Sequence, residues 1–476
     1  MSFTYDYTII GGGPTGLICS YYLSRKGYKV LLLEATNSLG GCHRVTKNDK
    51  NLHMEHSPRI YPNSFLNFFK FIQDELKIET NKNFVNYKFQ FYSMQMINFI
   101  LKIKLIDITK LYYTYFKNKV FRVPISLKYT VLDYVYQYNF HKSSIKVLNN
   151  FCNLIDGGDI DKTLLSTLLD SMDGMGLYSI LQPSLPMDEL IFNKLQNKLI
   201  SQKVNIILNS SVIHVKKNNN TLKILTKYTH FSSKKIIFAI PPFAINKINN
   251  AVELLGYNKN EFNIWSNYSL YKDYISFSFE FDIQIKNTKD IWGGISTHPW
   301  GEIFIDYVNY FKNQKTSLII ITINNLDNID PSTGKTANQM NKQELIKTVK
   351  NILKQTLKLD IEPIKSDIYP YVKKINNKWF QHDKSFLITK QGILKPKFYP
   401  TNIYTVGHHI GYSHHTYNTI ESAVINSYVF LNTIENLNLK IIKSTPLSHY
   451  IVIIILIILF IHLYLNGNYL NYLIKL

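Results

Sequence analysis

One stretch near the start limits the fold more than any other: Tyr5–Arg44, YDYTIIGGGPTGLICSYYLSRKGYKVLLLEATNSLGGCHR. The apolar run Tyr7–Ile10 suits a buried parallel strand. Gly11, Gly13 and Gly16 follow as GxGxxG, with Pro14 and Thr15 between them. A helical pattern, Leu17–Lys26, ends at Gly27, a residue suited to the position just past a helix C-cap. A second buried strand, Lys29–Leu33, ends in Glu34. Strand, turn, helix and strand within about thirty residues is the context in which a glycine motif marks a dinucleotide site. Each residue has a physical task. Gly11 permits the turn out of the strand, Gly13 lets a pyrophosphate approach the backbone, and Gly16 lets helix and strand pack closely. The helix N-terminus supplies free N–H groups and positive potential. Glu34 lies where a carboxylate accepts hydrogen bonds from a ribose, and it would repel a 2′-phosphate, which argues against NADP in this site.

A second glycine pair specifies the dinucleotide. Gly40, Gly41 and Arg44 follow Glu34 within ten residues. Two glycines let a loop lie against a cofactor, and one arginine neutralises diphosphate charge. With these motifs the sequence resembles the flavin-dependent amine oxidase superfamily, which includes monoamine oxidases, phytoene desaturases and protoporphyrinogen oxidases. The resemblance implies FAD as cofactor. It also implies an α/β fold: a Rossmann-like FAD-binding domain built from separated segments, with an inserted α+β substrate domain.

Composition narrows the partners. The chain has 476 residues, with 54 Lys+Arg against 33 Asp+Glu and a net charge of +21. Such a charge can serve a nucleic acid or an anionic membrane. The lysines are dispersed, however, and only Arg25, Arg44, Arg59 and Arg122 could make bidentate base contacts, so a nucleic-acid reader is not expected. Cys19, Cys42 and Cys152 are too few for a disulfide framework and suit a reducing compartment. Cys42 reads as a packing residue, and no secretory signal precedes the first strand.

The segments between these motifs carry weaker signals. Leu52–Tyr61 looks like the strand and loop that run under the flavin ring in this family. Arg59 within it could stabilise an anionic reduced flavin, hold an acidic substrate, or form an ordinary salt bridge. Phe65–Leu76 reads as an amphipathic helix, and Met94–Tyr138 as apolar-faced helices. Pro186–Ile200 reads as a helix. Val204–Leu208, Val212–Val215, Thr221–Thr226 and Lys235–Ile240 read as strands. By resemblance, the backbone of Val212 binds the adenine. Tyr274–Phe281 alternates as a half-buried strand should. Leu318–Ile323 and Phe386–Thr389 read as further strands, and Gln343–Leu357 as a helix. In relatives a lysine holds a water against the flavin, and Lys272 is the nearest match. Tyr412 and Tyr417 are candidates for aromatic rings flanking the flavin.

A closing signature lies in Tyr399–Phe430. The strand Asn402–Val406 ends in Gly407, and a helix begins at about Thr419 and Ile420. The resemblance implies that this helix N-terminus points at the flavin. The acidic residue that relatives place after the glycine is replaced by His408. His408, His409, His414 and His415 lack a carboxylate at ligand spacing, so no metal is expected. No cysteine follows Cys152, which excludes a cysteinyl flavin link near this end.

Tyr450–Leu465 is almost wholly apolar and, extended to Thr445–Asn466, is long enough to span a bilayer. Lys440 and Lys443 precede it and Lys475 follows, which places the bulk of the chain in the cytosol. The expected layout is FAD segments at 1–80, 183–250 and 396–436, a helical substrate part at 81–182, a sheet part at 251–395, and a membrane anchor at 446–467. The expected activity is FAD-dependent oxidation of a C–N or C–C bond in an amine or an unsaturated, hydrophobic small molecule. Two rivals stand beside it: a flavin-dependent isomerase of the UDP-galactopyranose mutase type, and a catalytically silent FAD-binding membrane protein.

Overall fold

The computed structural model describes residues 4–87, 102–175, 178–285, 298–307, 316–394 and 402–473. The first eight residues of the aromatic stretch Met94–Tyr138, and residues 395–401 before the closing strand, lie outside them.

A seven-stranded sheet carries the glycine turn. Thr4–Ile10 lies at its centre, parallel to Val30–Leu33 on one edge and to His230–Phe238 on the other. Asn205–Ile207 extends the first side. The far edge of His230–Phe238 is shared. Its first half pairs with the hairpin Val212–Asn218 and Thr221–Thr226, and its second half pairs with Ile403–Thr405. Strands from three distant parts of the chain thus meet in one sheet. Val30–Leu33 is buried throughout, as a central parallel strand covered on both faces must be.

Two helices cover one face. Pro14–Arg25 packs against Ile420–Glu435, and Ser427 Oγ donates to the Thr15 carbonyl across them at 3.5 Å. Glu435 clamps the far end. It accepts from Tyr28 Oη at 2.6 Å, from Lys26 and Lys235 at 2.9 Å each, and from Tyr7 Oη. Burial opposes ionisation of Glu435, but these donors hold its carboxyl down at about 2.

A second, antiparallel sheet has the order Ile303–Asp306, Ser317–Ile323, Ile275–Phe281, Lys365–Ile368. Helix Lys342–Leu357 covers it with Leu345, Val349 and Leu353. Two expectations change here. Ile275–Phe281 alternates in sequence, yet all seven residues are buried, and Glu280 tolerates this through a 2.7 Å pair with Lys365. Phe386–Thr389 is no strand. It makes only single bridges, Leu270 to Phe386 and Thr389 to Gly392, because its pairing with Ser269–Tyr271 is limited to bonds around one residue. The helix expected over Pro186–Ile200 opens with a wide turn, Asp188–Phe192, before Asn193–Ser201. That turn buries the successive residues Leu190, Ile191 and Phe192.

A helical region, chiefly Leu105–Tyr115, Lys142–Asp156 and Leu165–Met175, forms its own core around Tyr134, Leu168 and Leu169. From it the last helix, Leu447–Leu473, departs. Asp173 caps that helix, accepting from Ser448 N at 2.7 Å and Ser448 Oγ at 3.0 Å. Its window Leu447–Tyr464 has a mean hydropathy of 2.4 and is 6% buried.

Candidate functional site

A cavity of 1840 Å³ runs from the glycine turn to the helical region. It exceeds the range of about 300–1,000 Å³ typical of a drug-sized ligand, so it has room for a dinucleotide and a second molecule. Gly11, Gly13, Pro14, Thr15, Glu34, Gly41, Arg44, Arg59, Val212, Lys272, Gly407, His408, Thr419 and Ile420 all line it. The fold therefore brings together residues that sequence spacing placed hundreds of positions apart.

The nucleotide end is built from backbone. Gly13 caps the first helix with no side-chain bond and Pro14 at the first turn, which leaves the terminal N–H groups facing the cavity. A Cβ on Gly13 would meet nothing of the protein nearer than Gly41 Cα, at 3.8 Å. A Cβ on Gly16 would lie 1.9 Å from the Gly11 carbonyl oxygen, so Gly16 supports the turn from beneath. Gly40 also supports from behind: its N–H donates to the Gly12 carbonyl at 2.8 Å and pins the second loop to the first. Neither Gly16 nor Gly40 faces the cavity.

Glu34 is fixed by three donors. Gly12 N reaches Oε2 at 2.7 Å, while Thr36 N and Oγ1 reach Oε1 at 2.9 and 2.7 Å. Arg44 is almost fully buried. It donates to Asp383 Oδ2 and Thr36 Oγ1, at 2.5 Å each, and lies 4.4 Å from the centre of the Tyr371 ring. Burial opposes its charge, and Asp383 more than restores it, holding the guanidinium above its ordinary value. Its charge is thus already balanced by a carboxylate, which sequence spacing did not reveal.

Arg59 is the reverse case. Its Nη2 donates to the Cys42 carbonyl at 2.5 Å and to His56 Nδ1 at 3.1 Å. Among the described residues no carboxylate oxygen lies within 4.0 Å of it, and its buried Nε has no partner. His56 Nε2 donates to the Asp383 carbonyl at 2.6 Å, and Tyr274 Oη lies 2.6 Å from Nδ1. Burial, then the Arg59 charge, pushes His56 well below its ordinary pKa, so it stays neutral. The salt bridge considered for Arg59 is absent among the described residues, and the guanidinium feels the Glu55 carboxylate only from beyond contact distance. Burial pushes the neighbouring Cys42 thiol up to about 11, which suits packing and not nucleophilic attack.

The closing segment supplies the third wall. Thr419 caps Ile420–Glu435 through a capping box with Ser422 at 3.0 Å, and Thr419, Ile420 and Ala423 line the cavity. His408 Nε2 donates to the Thr416 carbonyl at 3.1 Å. Nδ1 is then the unprotonated nitrogen, and it is buried with no partner. Burial lowers His408 to about 4, so it offers a neutral acceptor to the cavity. Among the described residues no group of three or more His, Cys, Asp or Glu is arranged to hold a metal.

Lys272 lines the cavity beside the helical region, held by Asp159 at 3.1 Å and Asn325 Oδ1 at 2.8 Å. Tyr412 does not line it. Gly411 (φ +68°) turns the chain after His408–Ile410 and leaves Tyr412 38% exposed, its N–H bound to Asn426. Tyr417 is the ring that enters the wall, buried beside His415. Sequence reasoning missed His56, Tyr274, Asp383 and Tyr371. None belongs to a motif, and each reaches the site only through tertiary packing.

A profile of the NAD(P)-binding Rossmann-like domain matches residues 9–74. Ferredoxin–NADP reductase of Streptococcus equi subsp. zooepidemicus is 45% identical over 47 residues, 10% of this chain and 14% of that protein. The chain thus matches about a seventh of that relative's length. Among solved structures, putrescine oxidase bound to putrescine has a TM-score of 0.62 at 13% identity, covering 91% of this chain and 99% of that one. Cyclohexylamine oxidase from Brevibacterium oxydans has the same score at 12% identity, again covering 91% and 99%. The fold is that of these two oxidases, in line with the resemblance carried by the two glycine motifs. Across nearly its whole length the chain follows the architecture of these two oxidases.

Proposed function

We propose that the chain is an FAD-dependent, amine-oxidase-like oxidoreductase that removes hydride from a C–N or C–C bond of a small molecule. We also propose that it is held to a membrane by its C-terminal helix, with its bulk in the cytosol. The observation that carries this reading is the cavity that the glycine turn, Glu34, Arg59 and the helix N-terminus at Thr419 share with apolar residues of the helical region such as Leu111, Phe116 and Leu168. FAD supplies the hydride acceptor when bound. Gly13 and the first helix N-terminus would hold its diphosphate, Glu34 its ribose, the Val212 backbone its adenine, and His408 Nδ1 a ribityl hydroxyl. Arg59 and the second helix N-terminus set positive potential where negative charge would develop. Lys272 would position a water in the cavity.

The mutase alternative needs arginines for a nucleotide-sugar diphosphate. Of the four in the chain, Arg44 is balanced by Asp383, and Arg25 and Arg122 do not line the cavity. The absorbance spectrum of the purified full chain tests the cofactor. An anaerobic screen of amines and unsaturated compounds for loss of the flavin bands tests the activity. A colourless protein that stays colourless after incubation with FAD sinks the reading.

A further inference from the structure

Among the described residues, two carboxylates line the cavity, Glu34 and Asp383. Both are engaged. Glu34 accepts from Gly12 and Thr36, and Asp383 accepts from Arg44. Neither is left to receive an ammonium ion. The lining cations are Arg44, Arg59, Lys247, Lys272, Lys373 and Lys384. Arg44, Lys272 and Lys384 have acids in contact, namely Asp383, Asp159 and Asp273. Among the described residues Arg59, Lys247 and Lys373 have none. An ammonium substrate would therefore meet a wall of its own sign, whereas a carboxylate would meet the opposite one.

The hydrogen bonds around His56 show where the carboxylate goes. His56 Nε2 donates to the Asp383 carbonyl at 2.6 Å, which leaves Nδ1 with one lone pair. Two donors contend for it, Tyr274 Oη at 2.6 Å and Arg59 Nη2 at 3.1 Å. The guanidinium holds the poorer share, and its buried Nε has no acceptor. A ligand carboxylate would take the fork of Arg59 and leave Nδ1 to Tyr274, so that both donors gain a full acceptor. The rest of the ligand has an apolar wall to lie on. Leu111, Phe116, Leu148, Phe151, Leu168 and Met172 belong to the core of the helical region and line the same cavity.

We propose that the substrate is a monocarboxylic acid with an apolar chain and no ammonium group, its carboxylate held by Arg59 and its chain laid against the helical core. This narrows the oxidoreductase reading, on which it rests, from amines to acids.

The test is calorimetric titration of the full chain in uncharged dodecyl maltoside micelles, with and without FAD. The probes are 4-phenylbutyrate, 4-phenylbutanol, 4-phenylbutylamine and acetate, and titration into empty micelles gives the background. The acid should bind about 10- to 150-fold more tightly than the alcohol, as a charged hydrogen bond allows, and the amine should bind more weakly than either. Acetate should bind roughly a hundredfold more weakly than 4-phenylbutyrate, because it lacks the apolar contacts. In Arg59→Met the acid should bind no better than the alcohol. Should that variant not fold, the order of the probes on the parent chain decides. An amine that binds as tightly as the acid overturns the proposal. So does acetate as tight as 4-phenylbutyrate, and so does an acid preference that survives Arg59→Met, which would then come from the chain's general positive charge. Calorimetry reads binding whether or not flavin is present. A chain that takes up no FAD yet keeps the acid preference sinks the oxidoreductase reading and leaves the acid site standing.

Discussion

Adding one methyl group at Gly13 or at Gly16 separates the two tasks of the glycine turn. Gly13 has φ −76° and ψ 177°, which alanine adopts without strain. Its Cβ would lie 3.8 Å from the nearest protein atom, an ordinary contact. Gly13→Ala should therefore leave the cofactor-free protein as stable as before, or more stable by about 0.4–1 kcal/mol through the unfolded chain. The same methyl projects to where the diphosphate would lie. An overpacking cost of about 1–3 kcal/mol converts to roughly 5- to 150-fold weaker FAD binding. At Gly16 the methyl would sit 1.9 Å from the Gly11 carbonyl oxygen, and helix and strand must part by more than an ångström. Gly16→Ala should lower stability by about 3 kcal/mol, the upper end of overpacking costs. The assays are denaturant unfolding of the apoprotein and a fluorescence titration with FAD. If Gly13→Ala binds FAD within twofold of the parent, or Gly16→Ala unfolds like the parent, the account of the turn is refuted.

Arg59→Met removes a cavity cation that has no carboxylate in contact and should weaken a carboxylate probe such as benzoate by about 10- to 150-fold, matching a charged hydrogen bond of about 1.5–3 kcal/mol. Binding titration checks it, and unchanged affinity would mean that the guanidinium faces no ligand. Tyr412→Phe should leave kcat and KM unchanged, whereas Lys272→Met should lower kcat at least about a hundredfold, the lower end of a general acid–base contribution. Two buried acids should give opposite pH slopes. Burial pushes Glu421 up to about 7 despite donors from Asn67 and Phe68, so its stabilising contribution is present below about 4.5 and lost as pH rises through 7. Glu435, held at about 2, contributes above about 4.5 and loses that contribution as pH falls towards 2. Unfolding curves of Glu421→Gln and Glu435→Gln across pH should each lose the matching slope.

The tail helix and the glycine turn were legible because each is written in consecutive residues. Thr4–Ile10, Pro14–Arg25 and Val30–Leu33 fall within a few residues of the expected elements, and Thr419 is the N-cap the pattern suggested. Tyr412 and Tyr417 had equal claims from sequence. One left-handed glycine at position 411 turned the first outward and left the second in the wall. The alternation of Ile275–Phe281 implied one wet face, but the domain closes over both.

Local order along the chain by itself determined the nucleotide turn, its acid at position 34 and the apolar tail, because dihedral freedom, hydrogen-bonding range and hydrophobic run length act over a few neighbouring residues. Only the tertiary structure decided that Arg44 is neutralised by Asp383 while Arg59 is not, and that His56 and Tyr274 stand beside it. Charge balance in a cavity depends on distances between residues more than three hundred positions apart, and chain order carries no record of them until the sheets and helices have packed.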